Sequence, residues 1–500
     1  HGSISQHPAL RWEDAFVSGN GRMGAMLFGA PDNEVLVANH CRLFLPLGNR
    51  EIVPDLAVNV PELRRIIHEK NYDEAMKFFL GKAEEQGYPG LIPTDPFHPG
   101  FFINIRQPAN GPITGYIRTE NFRTGEVTVR WRDNRGEFRR RLFVSRTDNL
   151  IVVSLTGPAA SELLFPPVTP EAHATETGTW TAEIGSNLIR SEQETTAGWV
   201  TYHNVYVKGK GGYDAAVRII SRDKGCDRLL LIRIVPWKTP LSQEQSEAWA
   251  YSPDNPDFKT PSIFKPVPAL AESSVVAYRS TDDAAALLPQ LKESLAWLQA
   301  GYEALLAPHA VEHALLFDRV ALDLGGGADR AKTTEELLDL AKTKKCLPPA
   351  LMEKMYDAGR YMLICSAGEL LPNLQGIWTG TWKPAWSGDF TLDTNVQTAM
   401  ASACSGNLTD LMEGFFRLME SFYPEWRLNA KRIYGCRGVF TNIRASNTAL
   451  ALHWSYFPGV FWTAGCGWLA SFFTDYADYT GDKEFMEKRC LPLLREIAAF

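Results

Sequence analysis

No run of 18 apolar residues occurs anywhere in the 500-residue sequence, so no segment reads as a membrane-spanning helix. The chain opens His1-Gly2-Ser3-Ile4-Ser5-Gln6, without the charged and then apolar stretches of a secretory leader, so any leader is expected to have been removed. Cysteine is sparse: Cys41, Cys226, Cys346, Cys365, Cys404, Cys436, Cys466 and Cys490 form no C-x-x-C pair and meet no histidine at zinc-finger spacing. That excludes a zinc ribbon and a disulfide scaffold and leaves the redox compartment open. H-E-x-x-H and Ser/His/Asp arrangements are absent, and no metal or cofactor is expected. Neither sign of charge dominates, with 51 basic against 58 acidic residues and a net charge of -7. Such a balance gives no field to draw in nucleic acid or an anionic membrane, and a neutral partner suits it better. Nothing in the sequence sets an oligomeric state.

What is present is length, pattern and tryptophan. A chain of this length exceeds one hydrophobic core, so two or three domains are expected. Val127, Val129 and Trp131 alternate with polar residues, Asp133-Asn134-Arg135-Gly136 supplies a turn, and Phe138 to Val144 returns. Leu150 to Leu155 follows as a third strand, and similar runs recur at Trp199 to Lys208, Ala215 to Ser221 and Arg228 to Val235. With no βαβ alternation, roughly the first 275 residues read as a β-sandwich, with short helical insertions at Val60 to Glu69 and Tyr72 to Gly81. At Asp282 the period changes: Leu287, Leu291, Leu295, Leu298, Tyr302 and Leu305 fall at helical steps. Thr333-x-x-Glu336 predicts a capping box, and Leu351 to Ile364, Leu408 to Ser421 and Ala464 to Tyr479 read as further helices. Leu491 to Phe500 reads as a helix still in progress, so the chain is expected to end inside an element.

Any one of the 14 tryptophans is ordinarily core filler; clustering gives them another meaning. Between Leu371 and Met400, Trp378, Trp382 and Trp386 stand four apart among Gly, Pro, Thr and Ser. Aromatics in such a loop have little core to fill and suit the flat face of a sugar. Gln375, Asp389, Asp393, Asn395 and Gln397 share the stretch and can bond hydroxyls and place a water. Asp393 and Asn395 fall on one face if extended; the alternative is an Asx-turn or a helix N-cap. A second polar-aromatic cluster contains Arg437, Asn442, Arg444, Asn447, His453, Trp454, Tyr456, Trp462 and Trp468. Ser18-Gly19-Asn20-Gly21-Arg22-Met23-Gly24-Ala25 lacks both the Lys-Ser/Thr ending of a P-loop and a following helix, and reads as a tight β-turn.

Trp12-Glu13-x-Ala15 with Gly19 to Met26, Leu316-Phe317-Asp318-Arg319-Val320-x-Leu322-Asp323-Leu324-Gly325-Gly326, Pro372-Asn373-Leu374-Gln375-Gly376-Ile377-Trp378, and Tyr479-Thr480-Gly481-Asp482-Lys483-Glu484-Phe485 resemble, in this order, glycoside hydrolase family 95. The resemblance implies α-L-fucosidase or α-L-galactosidase activity on a multidomain β plus α fold: N-terminal β-sandwich, helical linker, (α/α)6 barrel and C-terminal β domain. On that reading residues 1–281 are the β-sandwich, 282–345 the linker and 346–500 the first part of the barrel. The family inverts stereochemistry with a Glu acid and an Asp-linked water positioned by two asparagines in a T-L-N-x-N motif. Here the motif is Thr391-Leu392-Asp393-Thr394-Asn395, so Asn395 matches and Asp393 replaces the first asparagine. The family's catalytic Glu and Asp are expected after Phe500. Where the family shows His-His-Asn-Thr-Asp, this chain has Asn442-Ile443-Arg444-Ala445-Ser446. Asp393 and Arg444 thus carry charge into a subsite that is neutral in the family. Either Asp393 is a direct base, or the two neutralise each other.

The reading is an exo-acting, inverting hydrolase that releases a terminal sugar such as α-L-fucose or α-L-galactose. Asp393 and Asn395 are its catalytic candidates, and Gln375, Trp378, Trp382, Trp386, Arg437, Asn442, Arg444 and His453 its substrate-binding candidates. The expected location is secreted or periplasmic. Three rivals remain: a disaccharide phosphorylase using Arg437 and Arg444 for phosphate, a polysaccharide lyase using Tyr434 and His453 for proton transfer, and a non-catalytic carbohydrate-binding protein.

Overall fold

The computed structural model describes residues 1–48, 52–88, 93–170, 186–209, 211–237, 287–298, 301–451 and 462–500. Its first half is strand: β1 (Gly2–Ser5), β2 (Phe16–Gly19), β3 (Met23–Leu27), β4 (Asn33–His40), β5 (Phe101–Arg106), β6 (Thr114–Asn121), β7 (Glu126–Asp133), β8 (Gly136–Ser145), β9 (Leu150–Thr156), β10 (Glu162–Leu164), β11 (Ile189–Thr196), β12 (Trp199–Tyr206), β13 (Gly212–Arg222) and β14 (Asp227–Trp237). One sheet has nine strands in the order β1-β6-β7-β8-β9-β14-β13-β12-β11, the other five in the order β10-β5-β4-β3-β2, and the pairings are antiparallel. The alternation read in β7 places Val127, Val129 and Trp131 in the core between the sheets. Across the ladder Trp131 faces Phe138 and the rings stack with centroids 5.2 Å apart. Strand β9 does not alternate, because both of its faces are covered. Ile151 and Val153 join the core between the sheets, while Leu150 and Val152 pack under Leu291, Leu295, Tyr302 and Leu305 of the helices Leu287–Ala296 and Tyr302–Phe317.

The helices at Val60–Glu69 and Tyr72–Glu84 form where the sequence predicts them, yet they are not insertions on the β scaffold. Leu63, Ile66, Ala75 and Phe79 share a core with Ala430, Ile433, Phe440 and Leu450 of the second half. The backbone follows: Leu56 N–H donates to Arg432 O at 2.7 Å and Arg432 Nε to Val53 O at 2.7 Å. The predicted capping box is present, with Thr333 N–H donating to Glu336 at 2.8 Å and Glu336 N–H to Thr333 Oγ1 at 3.1 Å, and it starts the helix Thr334–Lys344. The helices Pro349–Ser366, Met412–Ser421, Tyr423–Asn429, Gly465–Thr480 and Leu491–Ala499 follow. The expected boundary at 281/282 lies outside the described residues. Among the described residues no helix is long and apolar enough to cross a membrane.

The glycine-rich segment is the β2–β3 hairpin, and it is wedged into the helical half. Gly21 has φ +79°, its N–H donates to Cys365 O at 2.8 Å, and its carbonyl accepts from Glu369 N at 2.9 Å. A Cβ on Gly24 would lie 2.7 Å from the Trp378 ring. Tyr361 OH donates to Val17 O at 2.6 Å and Trp378 Nε1 to Ser18 O at 2.9 Å, so sandwich and helices share one continuous core.

Candidate active site

The polar loop from Asn373 to Asn395 folds back on itself and is then tied to the segment around Arg444. Asn373 Oδ1 accepts from Gln375 N at 2.7 Å, and Leu374 N–H donates to Asp389 O at 3.0 Å. A two-residue strand, β15 (Phe390–Thr391), pairs antiparallel with β16 (Arg444–Ala445), and Leu392 N–H donating to Ile443 O at 2.8 Å extends the pairing. Continued one step, this register sets Asp393 opposite Asn442. The chain then turns sharply at Thr394, whose φ is 117°, and enters the helix Asn395–Met400. Thr394 is the N-cap, its backbone N–H reaching Gln397 Oε1 at 2.8 Å. Asp393 and Asn395 therefore do not share an extended face, since the turn lies between them. Asp393 is half-buried and Asn395 exposed.

Behind this edge sits a buried ion pair, and its carboxylate is Asp389, not Asp393. Arg444 Nε donates to Asp389 Oδ2 at 2.7 Å, the two side chains being 6% and 0% exposed. Asp389 also accepts from Thr94 Oγ1 and Thr391 Oγ1, each at 2.7 Å. Arg444 Nη2 donates to Trp386 O at 2.7 Å and to Thr94 Oγ1 at 3.1 Å. Burial pushes the Asp389 carboxyl up from its ordinary value, against the pull of Arg444. It also pushes Asp393 up; there the charge of Asp389 adds to the rise, and no described cation forms a salt bridge with it. Expected neutralisation of Asp393 by Arg444 is thus replaced by neutralisation of Asp389, four residues earlier.

The three loop tryptophans divide. Trp386 is 41% exposed, with the Arg444 guanidinium 5.5 Å from its ring centroid. Trp378 and Trp382 are buried at 3% and 1% exposure, which corrects the expectation that loop aromatics have little core to fill. Trp378 packs on the β2–β3 hairpin, and Trp382 stacks on His98 at 4.5 Å between centroids. The core they fill is the junction of the two halves, a surface that local composition does not announce. Gln375 lies beside Gly388, its Cγ 3.2 Å from where a Cβ would stand. Asn442 is fully buried, and neither its Oδ1 nor its Nδ2 has a hydrogen-bond partner among the described residues. Arg437 is exposed in a loop whose Gly438 packs on the backbone of Glu496 and Phe500, with no described contact to the Asp389–Arg444 pair. His453 lies outside the described residues, as do Trp454 and Tyr456. Thr94 escaped notice in the sequence because it stands 295 positions from its partner Asp389.

His40, Cys41 and Glu369 bring potential metal-ligating atoms within 4.8 Å of one another. Their chemistry opposes a cation: Glu369 is held by Arg22 at 2.6 Å and by Arg42, which keeps its carboxyl down at about 2 despite burial. Burial lowers His40 to about 3 and raises the Cys41 thiol.

Comparison with known proteins places this geometry. Residues 4–225 match the glycosyl hydrolase family 65 N-terminal domain and residues 301–500 the glycosyl hydrolase family 95 catalytic domain. A protein from the human microbiome assigned as a kojibiose phosphorylase has a similar solved structure, with a TM-score of 0.50 and 9% identity over 100% of this chain and 58% of its own. Fold and matches together define the chain as a glycoside hydrolase architecture, a β-sandwich leading into part of an (α/α)6 barrel. The helical part of the chain, residues 301–500, is similar to the glycoside hydrolase family 95 catalytic domain. Alpha-L-fucosidase 2 of Arabidopsis thaliana is 25% identical over 519 residues, 99% of this chain and 57% of that protein. Proteins assigned as alpha-fucosidase A are 30% identical over 211 residues in Aspergillus niger, covering 40% of this chain and 26% of that one, and 23% identical over 459 residues in Aspergillus oryzae, covering 88% and 58%. The chain thus spans less than two thirds of each of these relatives.

Proposed function

We propose that the protein is an exo-acting, inverting glycoside hydrolase that releases a terminal sugar such as α-L-fucose or α-L-galactose from oligo- or polysaccharides. One observation carries the reading: Asp393 is a half-buried carboxylate without a salt bridge among the described residues, at a sharp turn beside the exposed Asn395. In this role Asn395 orients a water, and Asp393 takes its proton as the water oxygen bonds to the anomeric carbon. The glycosidic oxygen leaves with a proton from a separate acid. Trp386 and Gln375 line the sugar subsite, and Asn442 lies across the ladder from the base. The engagement of Arg444 with Asp389, Thr94 and Trp386 O weighs against its use for phosphate or a uronate. We divide the protein at 1–281, 282–345 and 346–500, and place its action outside the cytoplasm, secreted or periplasmic.

A panel of terminal glycosides, with the anomer of the first product followed by NMR, tests the reaction. Release of the retained anomer sinks the inverting mechanism. Asp393 must be ionised to act, so activity falls as pH drops through its raised pKa. Asp393→Asn is expected to lower kcat by about 100-fold or more and to remove that acid limb. Unchanged turnover in the variant removes Asp393 from the role.

A further inference from the structure

Residues 386–388 are wound the unfavourable way. Trp386 (φ 54°, ψ 34°) and Ser387 (φ 57°, ψ 7°) both occupy the left-handed region, and Gly388 follows at φ 57°. Two successive side-chain-bearing residues persist there only when their surroundings impose it. The surroundings come from the other half of the molecule. Phe97 N–H donates to Ser387 O at 2.8 Å, and Thr94, three residues earlier and fully buried, reaches the ion pair behind the turn.

We propose that Thr94 is a positioning residue for the sugar: through Asp389 and Arg444 it fixes the left-handed turn that presents Trp386 as a stacking platform for an uncharged terminal sugar. Its hydroxyl donates to Asp389 Oδ2 at 2.7 Å and accepts from Arg444 Nη2 at 3.1 Å, a dual role that a methyl group cannot fill. The same Nη2 reaches Trp386 O at 2.7 Å, so Thr94 and the turn share one guanidinium nitrogen. The ring itself stays 41% exposed, with the Arg444 guanidinium 5.5 Å from its centroid. Because Asp389 and Arg444 cancel inside the protein, the platform offers no net charge to an acidic sugar, and its selectivity comes from the apolar C–H face that a π surface attracts.

The substrate half of this inference rests on the hydrolase reading; the clamp does not. In the full protein, Thr94→Val is expected to raise KM about tenfold while kcat moves less than about twofold, and Thr94→Ser to restore both. Trp386→Phe should raise KM alike, with the double variant no worse than the single ones. A KM that does not move, equal losses in KM and kcat, or additive effects in the double variant overturn the proposal. Should the wild type cleave no glycoside, the hydrolase reading fails by itself, and tryptophan emission still reads the clamp. The component lost in Trp386→Phe should be more readily quenched by acrylamide in Thr94→Val, and in Thr94→Ala if the valine variant does not fold. Quenching unchanged from wild type refutes the clamp.

Discussion

Two buried arginine–carboxylate pairs, one in each half of the molecule, do different work with similar parts. In the sandwich, Arg140 meets Glu34 at 3.0 Å, donates to Ala30 O and Pro31 O at 2.6 and 2.7 Å, and lies 4.4 Å from the Trp131 ring. Glu34 in turn accepts from Gly29 N and Val35 N, which closes the turn between β3 and β4. The pair braces the turn between two sandwich strands and lies against a tryptophan that is inside, Trp131 being 2% exposed. In the helical half, Arg444, paired with Asp389, likewise donates to a backbone carbonyl and sits by a tryptophan, but the backbone is strained and the tryptophan is 41% exposed. The sandwich pair completes a core. The loop pair holds an edge in a conformation that it would otherwise leave, which is where strain is expected to have a use.

Breaking either pair at one end should have the largest effect. Glu34→Ala and Asp389→Ala each strand a buried guanidinium, and each should lose about 3–5 kcal/mol of stability in chemical denaturation. Replacing both partners separates the two regions. Glu34→Leu with Arg140→Met should recover most of the loss and keep activity, because an apolar pair can substitute for a buried ionic one. Asp389→Leu with Arg444→Met should regain stability without regaining sugar turnover; recovered turnover would put the two pairs in the same class. Next in size is Gly24→Val, whose Cβ would meet the Trp378 ring at 2.7 Å and Ile377 O at 2.8 Å; a loss of about 2–3 kcal/mol is expected. A substitution of equal bulk at Gly81, where nothing lies within 4 Å, should not produce it.

A pH dependence is expected from the sandwich. Glu120 accepts from Val17 N at 2.9 Å, and burial raises its carboxyl from 4.5 to about 7. Between those values the folded state holds a proton that the unfolded state has released, so stability falls as pH rises through the window and stays lowered above it. Glu120→Gln should flatten this part of the stability profile, and an unaltered slope would assign it to another group.

The sequence is most readable where one interaction dominates. Alternation located β7 and β8 because a single buried face sets the period, and Thr333 with Glu336 announced a helix start because the capping box is local. Contacts across hundreds of residues left no such trace. The helix Val60–Glu69 has an apolar stripe, but only the folded chain shows that Ile433 and Phe440 receive it. Composition marked the loop at 371–400 correctly as polar and aromatic, yet could not separate Trp378 and Trp382, which the β2–β3 hairpin and His98 cover, from Trp386, which they do not reach. Nor could spacing choose between Asp389 and Asp393 as the partner of Arg444; the register of β15 on β16 and the turn at Thr394 decide it.

The wedged hairpin bears on how such a protein can be taken apart. With Gly21 seated against Cys365 and Ala367, Glu369 bonded to its carbonyl, and Thr94 reaching Asp389, the helical half is not a portable module. A chimera that grafts a foreign sandwich onto these helices would have to carry along the 16–27 hairpin and the segment around 94–98. In recombination or domain shuffling, the two halves would be inherited as one piece or lose the Trp386 turn held between them.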